Sequence, residues 1–314
     1  MLKKLIEKYI LGRCGLYGFL LLLAGISIHI LGFVFRFLEN NVSDAFLDMS
    51  APVILISGSL FAFDILALRN LFKKREEISA TSLAGKTMAV GMTAYNDEEC
   101  IADAAGDFIR EPGVKTVIVI DNNCTDKTGE KARNAGAAVV AEIKQGFGYA
   151  CMRALEEACR AGDIIVLVEG DGTFSAGDIR KLLPYLENFD MVCGTRTTNE
   201  LNSPDSQLDW LMVLGNLFVA KLLQVRFWGS RFTDVGCTYR IMKKESYEKI
   251  RGKLSVGGMH FLPHMIIESI KAGLKIIEVP ITFRKRQGIS KGVGSKKLRA
   301  VAVGIRMALL ILFS

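Results

Sequence analysis

Two apolar stretches near the beginning of the chain interrupt an otherwise mixed pattern of polar and apolar positions. No formally charged residue lies between Arg13 and Arg36, and a helix of that length can cross a hydrocarbon layer roughly 30 Å thick. A second stretch is shorter and contains Asp64. We expect two transmembrane helices, at about residues 14–35 and 51–70.

Basic residues flank both predicted spans on the same side of the membrane. They precede the first span and follow the second, whereas the loop between the spans is mainly acidic. The basic positions are Lys3, Lys4, Lys8, Arg13, Arg69, Lys73, Lys74 and Arg75. Because basic flanks stay in the cytoplasm, we expect residues 1–80 to form an integral membrane anchor, with both termini and the following domain cytoplasmic.

From Lys86 onward, short apolar runs alternate with segments of helical periodicity. The runs predict strands at residues 87–93, 115–121, 137–142, 164–168, 191–194 and 273–283. The other segments predict helices at residues 97–109, 125–134, 147–160, 176–186 and 208–225. This order is typical of an α/β domain with a mostly parallel, doubly wound sheet, which we place at residues 81–295. Val301 to Phe313 are apolar apart from Arg306, and in residues 296–314 we expect an interfacial helix rather than a third span.

The run IIVLV at residues 164–168 leads directly into Glu169, Gly170 and Asp171. A strand that is apolar at every position is typical of the middle of a parallel sheet, where both faces are covered. Ligands bind at the carboxyl ends of such strands, and the two-residue repeat would point both carboxylates the same way. Two hard oxygen ligands suit Mg²⁺ or Mn²⁺. A polar turn that merely ends the strand is the alternative interpretation.

Two other predicted strands also end in polar residues. The first runs into MTAYNDEE and the second into IVIDNNCTDKT. These residues would lie at the same edge of the sheet as the acid pair and would form one polar crevice able to hold a metal ion. Alternatively, Asn96 and Thr125 are helix N-caps, and the acids that follow them complement the helix dipoles.

Five motifs, in this order, resemble those of family 2 GT-A glycosyltransferases. AYNDEE is similar to the AYNEE opening of that family, DNNCTDKT to its DDxSxDxT segment, and EGD to its DxD motif. TDVGCTYR resembles its D-x-x-x-G-x-x-R stretch, and IIEVPITFRKRQGISK resembles the ending of dolichyl- and polyprenyl-phosphate sugar synthases. The resemblance extends over about residues 87–295, and it implies a Rossmann-like GT-A fold for the cytoplasmic domain.

The resemblance also implies roles for particular residues. Glu169 and Asp171 would hold Mg²⁺ or Mn²⁺ against the diphosphate of a UDP- or GDP-sugar, whose departure needs charge neutralisation. The residues implied for donor binding are Ala94, Tyr95, Asn96, Glu98, Asp121, Asn122, Lys144, Gly146, Glu169 and Gly170. The residues implied for catalysis are Asp171, Asp234, Arg196 and Arg240. Gly146 and Gly148 could let the backbone approach the donor, or they could simply form the entry to a helix.

The basic tail of the last motif is implied to meet a lipid phosphate. Its polar residues are Arg284, Lys285, Arg286, Ser290 and Lys291. Guanidinium groups bind phosphate through paired donors, and lysine adds a point charge. A solvated cluster at the membrane surface is the alternative.

The chain departs from the family pattern at several positions. Asn122 replaces the second Asp of DDxSxDxT and Cys124 replaces its Ser, so the identity of the donor base stays open. The segment LDWLMVLGN lacks an arginine that relatives acting on lipid phosphates often carry. The arginines that could serve instead are Arg196, Arg226, Arg231 and Arg240. His264 stands where the family has Glu, either to touch substrate or as an ordinary, partly buried histidine.

Charge and cysteine content indicate the cellular compartment and the class of binding partner. The net charge of +7 is concentrated next to the spans and near the end of the chain, which favours anionic lipid over nucleic acid. Seven cysteines without a CxxC pair fit a reducing compartment. His29 and Asp64 lie at membrane depth, where they are either functional or paired across the two helices. The spans could also let copies of the chain form a homo-oligomer.

Together with the resemblance, these features predict an inverting, metal-dependent transfer of a single sugar from a nucleotide-sugar to a polyprenyl or dolichyl phosphate at the cytoplasmic face. A phosphate monoester has its second pKa at about 6, so the acceptor is ionised at neutral pH and needs no strong base. Two other classes remain open. One is a glycosyltransferase with a glycolipid or polysaccharide acceptor, and the other is a non-catalytic membrane module that binds nucleotide-sugars.

Overall fold

The computed structural model describes residues 13–38, 42–64, 80–206, 210–227, 231–287 and 297–314. The chain divides into two compact units. The first contains the two helices at the beginning of the chain together with residues 222–227, and the second contains the sheet and the helices around it. The boundary between residues 77 and 78 lies close to residue 80, where the predicted anchor ends.

Helix α1 (Arg13–Phe37) and helix α2 (Ser43–Phe63) form an antiparallel pair, and both are long and apolar enough to cross a membrane. Helix α2 begins at Ser43, eight residues before the predicted start. The expectation started at the apolar run after Ser50, but the two acidic residues Asp44 and Asp48 lie within the first turns of the helix and do not interrupt it. Residues 65–70, the predicted end of this span, lie outside the described residues.

Small residues line the contact between α1 and α2. Gly18, Gly25 and Gly32 are spaced seven residues apart on α1, and an added Cβ at Gly25 would lie 2.9 Å from Ile54 Cγ1. On α2 the buried small residues repeat with the same spacing, at Ser43, Ser50 and Ser57. Small residues at such a contact let the two backbones approach closely, which is a packing mode common among membrane helices.

His29 pairs across this contact. Its Nδ1 lies 2.9 Å from Ser50 Oγ, and the Ser50 hydroxyl also donates to Leu47 O at 2.8 Å. This geometry supports the structural interpretation of His29. Asp64, at the end of α2, is fully buried.

The second unit is built on a seven-stranded sheet with the order β3-β2-β1-β4-β6-β5-β7. The strands are β1 (Met88–Ala94), β2 (Val114–Asp121), β3 (Ala138–Ala141), β4 (Ile164–Glu169), β5 (Met191–Thr195), β6 (Arg240–Lys243) and β7 (Ile276–Pro280). Strand β6 runs antiparallel to β4 and β5, and the other neighbouring pairs are parallel. The prediction of a mostly parallel sheet is therefore confirmed.

The sequence pattern missed β6. This strand contains only the four residues RIMK, which form neither an apolar run nor a clear alternation. It is defined by its two neighbours, because Ile241 pairs with Val166 of β4 and with Val192 of β5. A four-residue strand between two others can be recognised only once the neighbouring strands are in place.

Helices cover the sheet. They are α3 (Ile101–Ile109), α4 (Thr128–Asn134), α5 (Phe147–Ala161), α6 (Ile179–Leu182), α7 (Trp210–Arg226), α8 (Lys244–Ile250), α9 (Phe261–Lys271) and α10 (Lys297–Phe313). Short 3₁₀ turns at Ala176–Asp178 and Leu183–Glu187 flank α6, so the predicted helix at 176–186 is divided into three pieces.

The expectation that Asn96 and Thr125 are helix N-caps is wrong. Helices α3 and α4 begin later, and the N-cap positions are held by Cys100 and Lys127, neither of which makes a side-chain cap bond. Asn96 adopts a left-handed backbone conformation with φ of 55°. The polar residues before these helices instead form loops at the edge of the sheet.

Helix α5 packs closely against the centre of the sheet at Gly91 of β1. A Cβ at this position would collide with the carbonyl oxygen of Ala154 and would lie 2.9 Å from the Ala154 Cβ. The sheet and the helix can approach this closely only because residue 91 has no side chain.

We predict that Gly91→Ala lowers the free energy of unfolding by about 2 kcal/mol or more, because the added methyl group must displace backbone in a packed core. Thermal unfolding of the full chain in detergent measures the loss. Gly252→Ala is the matched control, since no atom lies within 4 Å of its Cβ position. Equal unfolding midpoints for the two variants would contradict this account of the packing.

Candidate active site

The carboxyl ends of three parallel strands meet at one edge of the sheet. In the register of the strands, Ala94 of β1 is aligned with Asp121 of β2, and Thr93 is aligned with Glu169 of β4. Parallel pairing therefore brings together the three polar segments that follow these strands.

The two acids at the end of β4 are held by hydroxyl groups. Asp171 is buried, and its Oδ1 accepts hydrogen bonds from Thr173 N at 3.1 Å and Thr173 Oγ1 at 2.6 Å. Glu169 Oε1 accepts a hydrogen bond from the hydroxyl of Thr238. Gly170, between them, donates its N–H to Thr93 O at 2.8 Å, and a Cβ there would lie 2.5 Å from Ile101 Cδ1. The turn between the acids is thus fixed by close packing.

Burial and the neighbouring Asp171 raise the pKa of Glu169 to about 7, although the Thr238 hydroxyl and Arg286 oppose the shift. Two neighbouring carboxylates that repel one another fit a divalent cation, since its charge would stabilise both. Within the described residues, no group of three or more His, Cys, Asp or Glu side chains forms a metal cluster. This donor set suits Mg²⁺ or Mn²⁺, which commonly bind one or two carboxylates and take their other ligands from phosphate and water.

Arg286 is the residue of the basic tail that reaches this acid pair. Its Nη2 lies 3.6 Å from Asp171 Oδ2 and 3.6 Å from Asp97 Oδ1. Arg284 lies elsewhere, with Nη1 at 3.2 Å from Asp107 Oδ2 and Nη2 at 2.8 Å from Ser175 Oγ. Ser290 and Lys291 lie outside the described residues. The described basic residues of this run therefore pair with different carboxylates.

The loops after β1 and β2 hold one another in place. Asn96 Oδ1 accepts a hydrogen bond from Thr125 N at 2.7 Å, and Asp121 Oδ1 accepts one from Cys124 N at 2.8 Å. Glu98 Oε2 accepts a hydrogen bond from Lys127 N at 3.3 Å. Tyr95 leaves 42% of its surface exposed next to these loops, and an aromatic ring there could stack on a nucleobase.

Asn122 joins the loop after β2 to the loop after β3. Its Nδ2 donates to Glu142 O at 3.0 Å and to Lys144 O at 2.8 Å, and its Oδ1 accepts from Gly146 N at 3.0 Å. Only 3% of Asn122 is exposed. The expectation that Asn122 contacts the donor therefore needs correction, because its side chain is occupied by the protein's own backbone.

The glycines at the start of α5 accommodate another part of the chain. A Cβ at Gly146 would lie 2.5 Å from Gly257 O, and Gly148 N donates to that same oxygen at 2.9 Å. Gly146 also has φ of 149°, which L side chains rarely adopt. These contacts favour the helix-entry interpretation. Lys144 Nζ lies 5.7 Å from the centroid of the Tyr149 ring.

Arg196 and Asp234 form a buried, two-pronged ion pair. Arg196 Nε lies 2.7 Å from Asp234 Oδ2, and Nη2 lies 2.9 Å from Asp234 Oδ1. Burial alone would lower the pKa of Arg196, but the Asp234 carboxylate outweighs it and the pKa is raised. Asn216 Nδ2 also donates to Asp234 Oδ1 at 3.3 Å. The pair is fixed in one orientation, as expected for a group that positions others.

The expectation that Arg240 acts in catalysis also needs correction. This residue is 1% exposed, and its guanidinium donates to the carbonyl oxygens of Cys237, Leu262 and Val235 at 3.3, 2.8 and 3.1 Å. Bonds to three backbone carbonyls in the interior are typical of an arginine that supports the fold. His264 is likewise internal, with Nε2 at 3.3 Å from Ser255 N and 3.2 Å from Lys253 O. Burial lowers the pKa of His264.

Sequence reasoning missed Glu278 as a site residue. Its carboxylate accepts hydrogen bonds from Thr233 N and Thr233 Oγ1, both at 2.7 Å, and from Asp234 N at 2.8 Å. Burial raises the pKa of Glu278, and these donors oppose the rise. The signal was the acid inside the apolar run IIEVPITF, since an acid in a strand of a covered sheet needs partners.

A family model, glycosyl transferase family 2, matches residues 89–251, just over half of the chain. That region contains β1 to β6 and both acids of the pair. The chain belongs to glycosyl transferase family 2.

Among relatives of this family, the chain is 34% identical over 193 residues to the glycosyltransferase AglJ of Haloferax volcanii, which covers 61% of each protein. The chain thus spans about three fifths of that relative's length. It is 28% identical over 207 residues to the dolichyl-phosphate hexose transferase of the same organism, covering 65% of this chain and 86% of the relative.

The fold is also similar to that of a solved glycosyltransferase. The glucosyl-3-phosphoglycerate synthase of Mycobacterium tuberculosis, crystallised with Mn²⁺, UDP and glucosyl-3-phosphoglycerate, superposes with a TM-score of 0.53 at 20% identity. The match covers 73% of this chain and 81% of that one. The expected GT-A fold is therefore confirmed for this family 2 chain.

We predict that Asn122→Asp destabilises the protein by roughly 1–3 kcal/mol, because a carboxylate cannot donate to the Glu142 and Lys144 carbonyls and leaves them unpaired. Thermal unfolding measures the change. Asn123→Asp is the matched control, since Asn123 donates to the same loop but is exposed and water can replace its bonds. If both variants lose the same stability, Asn122 has no special part in joining the loops.

We also predict a pH-dependent difference between the wild type and Glu169→Gln. An acid whose pKa is raised by folding stabilises the folded state fully below its ordinary pKa of 4.5 and loses that contribution as the pH rises through about 7. Without metal, the wild type should match the variant near pH 5 and be less stable, by an amount on the order of 2 kcal/mol, near pH 8. Thermal unfolding at both pH values tests this, with the exposed Glu130→Gln as control. A constant difference between wild type and Glu169→Gln would refute it.

Proposed function

We propose that this chain transfers one hexose from a UDP- or GDP-sugar to a polyprenyl or dolichyl phosphate, with inversion at the anomeric carbon. The observation that carries the proposal is an acid pair at the carboxyl edge of the sheet, in which Asp171 is buried and Glu169 half-buried, with the guanidinium of Arg286 3.6 Å from Asp171. The similarity to a dolichyl-phosphate hexose transferase supports the choice of acceptor.

Glu169 and Asp171 would hold Mg²⁺ or Mn²⁺, which neutralises the charge that develops on the departing nucleoside diphosphate. The loops after β1 and β2 would receive the nucleoside, since Tyr95, Asn96 and Asp121 lie at the same edge of the sheet. The mutual hydrogen bonds of these loops preorganise that surface before the donor arrives.

The acceptor reacts through an oxygen of its phosphate. This oxygen forms a bond to the anomeric carbon, the bond from that carbon to the β-phosphate oxygen breaks, and its electron pair leaves with the nucleoside diphosphate. The phosphate is already ionised near neutral pH, so no side chain has to remove a proton. Asp234 is therefore not needed as a base. Because Arg196 donates to both of its oxygens, Asp234 serves as a positioning group.

The membrane brings this acceptor to the protein. Helices α1 and α2 would span the bilayer, with the basic flanks and the catalytic unit on the cytoplasmic side. Two helices of the catalytic unit also expose apolar side chains at four-residue spacing. These are Trp210, Leu214 and Phe218 on α7, and Val301, Ile305, Leu309 and Phe313 on α10. Such faces suit helices that lie in the interface of a bilayer.

The test is sugar transfer by the purified full chain in detergent, with labelled UDP- and GDP-hexoses, polyprenyl phosphate and either Mn²⁺ or Mg²⁺. We expect labelled lipid phosphate only with metal. Asp171→Asn should lower the rate by about 100-fold or more, because it removes charge stabilisation at the reacting diphosphate. Asp205→Asn is the matched control, since that exposed carboxylate contacts only the exposed Lys285 within the described residues.

Three other outcomes would contradict the proposal in different ways. Transfer to a glycolipid but not to polyprenyl phosphate would contradict the proposed identity of the acceptor. Transfer that persists in EDTA would contradict the proposed metal dependence. Metal-dependent nucleotide binding without transfer to any acceptor would indicate a binding module.

A further inference from the structure

The segment after β7 is anchored on both sides of the candidate active site. Phe283 N donates to Leu201 O at 3.0 Å, Phe283 O accepts from Ser203 N at 2.8 Å, and Arg284 N donates to Thr173 O at 2.8 Å. Thr282 is held as well, because its N–H donates to Asp178 Oδ2 at 2.7 Å. Arg286 follows only two residues after the last of these backbone bonds, so the fold itself specifies where its side chain lies.

The guanidinium of Arg286 is enclosed but loosely bonded. Its side chain is 14% exposed, and its Nε is buried without a hydrogen-bond partner. The distance of 3.6 Å to each of Asp97 and Asp171 exceeds the 2.7–2.9 Å, roughly, of a charge-assisted hydrogen bond. An ion pair with this geometry balances charge without fixing the side chain firmly, so another cation can displace it.

Arg286 lies among several carboxylates. Three carboxylates, of Asp97, Glu169 and Asp171, lie near Arg286, while Arg196 is committed to Asp234. A single guanidinium contacts two of the three acids. A divalent cation between Glu169 and Asp171 would bring twice the charge to the same place, and it would repel Arg286.

We propose that Arg286 is a built-in counter-ion that occupies the cation's side of Asp171 until the cation binds, and that it then transfers to the diphosphate of the nucleotide. The inference rests on the proposed metal dependence and adds a coupling to it. A cation alone must compete with Arg286, whereas a cation that arrives with a diphosphate offers the guanidinium new acceptor oxygens. Cation and nucleoside diphosphate therefore bind cooperatively, and Arg286 carries that cooperativity as a positioning residue.

The test measures Mn²⁺ binding by the loss of the free-ion electron paramagnetic resonance signal, with the full chain in detergent, both alone and with saturating UDP or GDP. For the wild type we expect weak binding of Mn²⁺ alone and at least about fivefold tighter binding with one of the nucleotides. In Arg286→Gln, Mn²⁺ alone should bind at least about fivefold more tightly than in the wild type, and the gain from nucleotide should shrink.

Arg284→Gln is the matched control, because Arg284 lies on the same segment but contacts Asp107 and Ser175. It should keep both affinities within about twofold of the wild type, since its contacts do not include the acid pair. Thermal unfolding verifies that each variant is folded. Should Arg286→Gln fail to fold, Arg286→Met removes the same charge while keeping an apolar stem, and it should show the same tighter binding.

The possible failures are distinguishable. Equal Mn²⁺ affinity in Arg286→Gln and Arg284→Gln, with binding abolished in Asp171→Asn, would overturn the counter-ion role and leave the metal site intact. Mn²⁺ binding that is weaker in Arg286→Gln than in the wild type would also overturn it. No Mn²⁺ binding by any form, with or without nucleotide, would overturn the proposed metal dependence and this inference together.

Discussion

Two neighbouring carboxylates at the end of a central strand, one buried and one half-buried, are the constraint on which the catalytic unit depends. Burial and mutual proximity both oppose ionisation of such a pair, and for this reason the pKa of Glu169 is raised. The surrounding structure stabilises the two carboxylates only in part. The hydroxyls of Thr173 and Thr238 donate to them, and the guanidinium of Arg286 lies 3.6 Å from Asp171. The repulsion that remains between the two carboxylates favours the binding of a cation.

Side chains that hydrogen-bond to backbone groups hold the rest of this edge rigid. Asn122 joins two loops, Arg240 ties the end of the TDVGCTYR segment to α9, and Glu278 fixes the backbone on which Asp234 stands. Each of these groups is buried or half-buried and bonds to backbone within the protein. Their common effect is to place the few groups that remain for substrate, such as Asp171 and Arg286, on a framework that does not need to reorganise.

The two units are packed with different types of residue. The catalytic unit packs large apolar side chains around a sheet, where removal from water stabilises the fold. The pair of helices α1 and α2 is apolar on its exposed surface, so it relies on glycine and serine at seven-residue spacing to bring backbones together. A histidine–serine contact, between His29 and Ser50, pairs polar atoms where the two helices meet.

Much of the architecture was predictable from local pattern. The apolar runs gave six of the seven strands because a strand covered on both faces must be apolar along its length, and β6 escaped because its four residues carry no such pattern. The ends of helices were less predictable. Asn96 and Thr125 have the chemistry of N-caps, but they bond to each other across two loops that only parallel pairing brings together.

The sequence by itself determined that two acids end a buried strand and that a basic run follows the last strand, since both are statements about neighbours along the chain. Only the tertiary structure decided which basic residue meets the acids. Arg284 and Arg286 have the same chemistry and lie two residues apart, yet one contacts Asp107 and the other Asp171. The same holds for Arg196 and Arg240, of which one pairs with Asp234 and the other bonds to backbone carbonyls in the core. Charge and spacing are local properties, whereas the partner of a long side chain depends on which distant segments the fold places beside it.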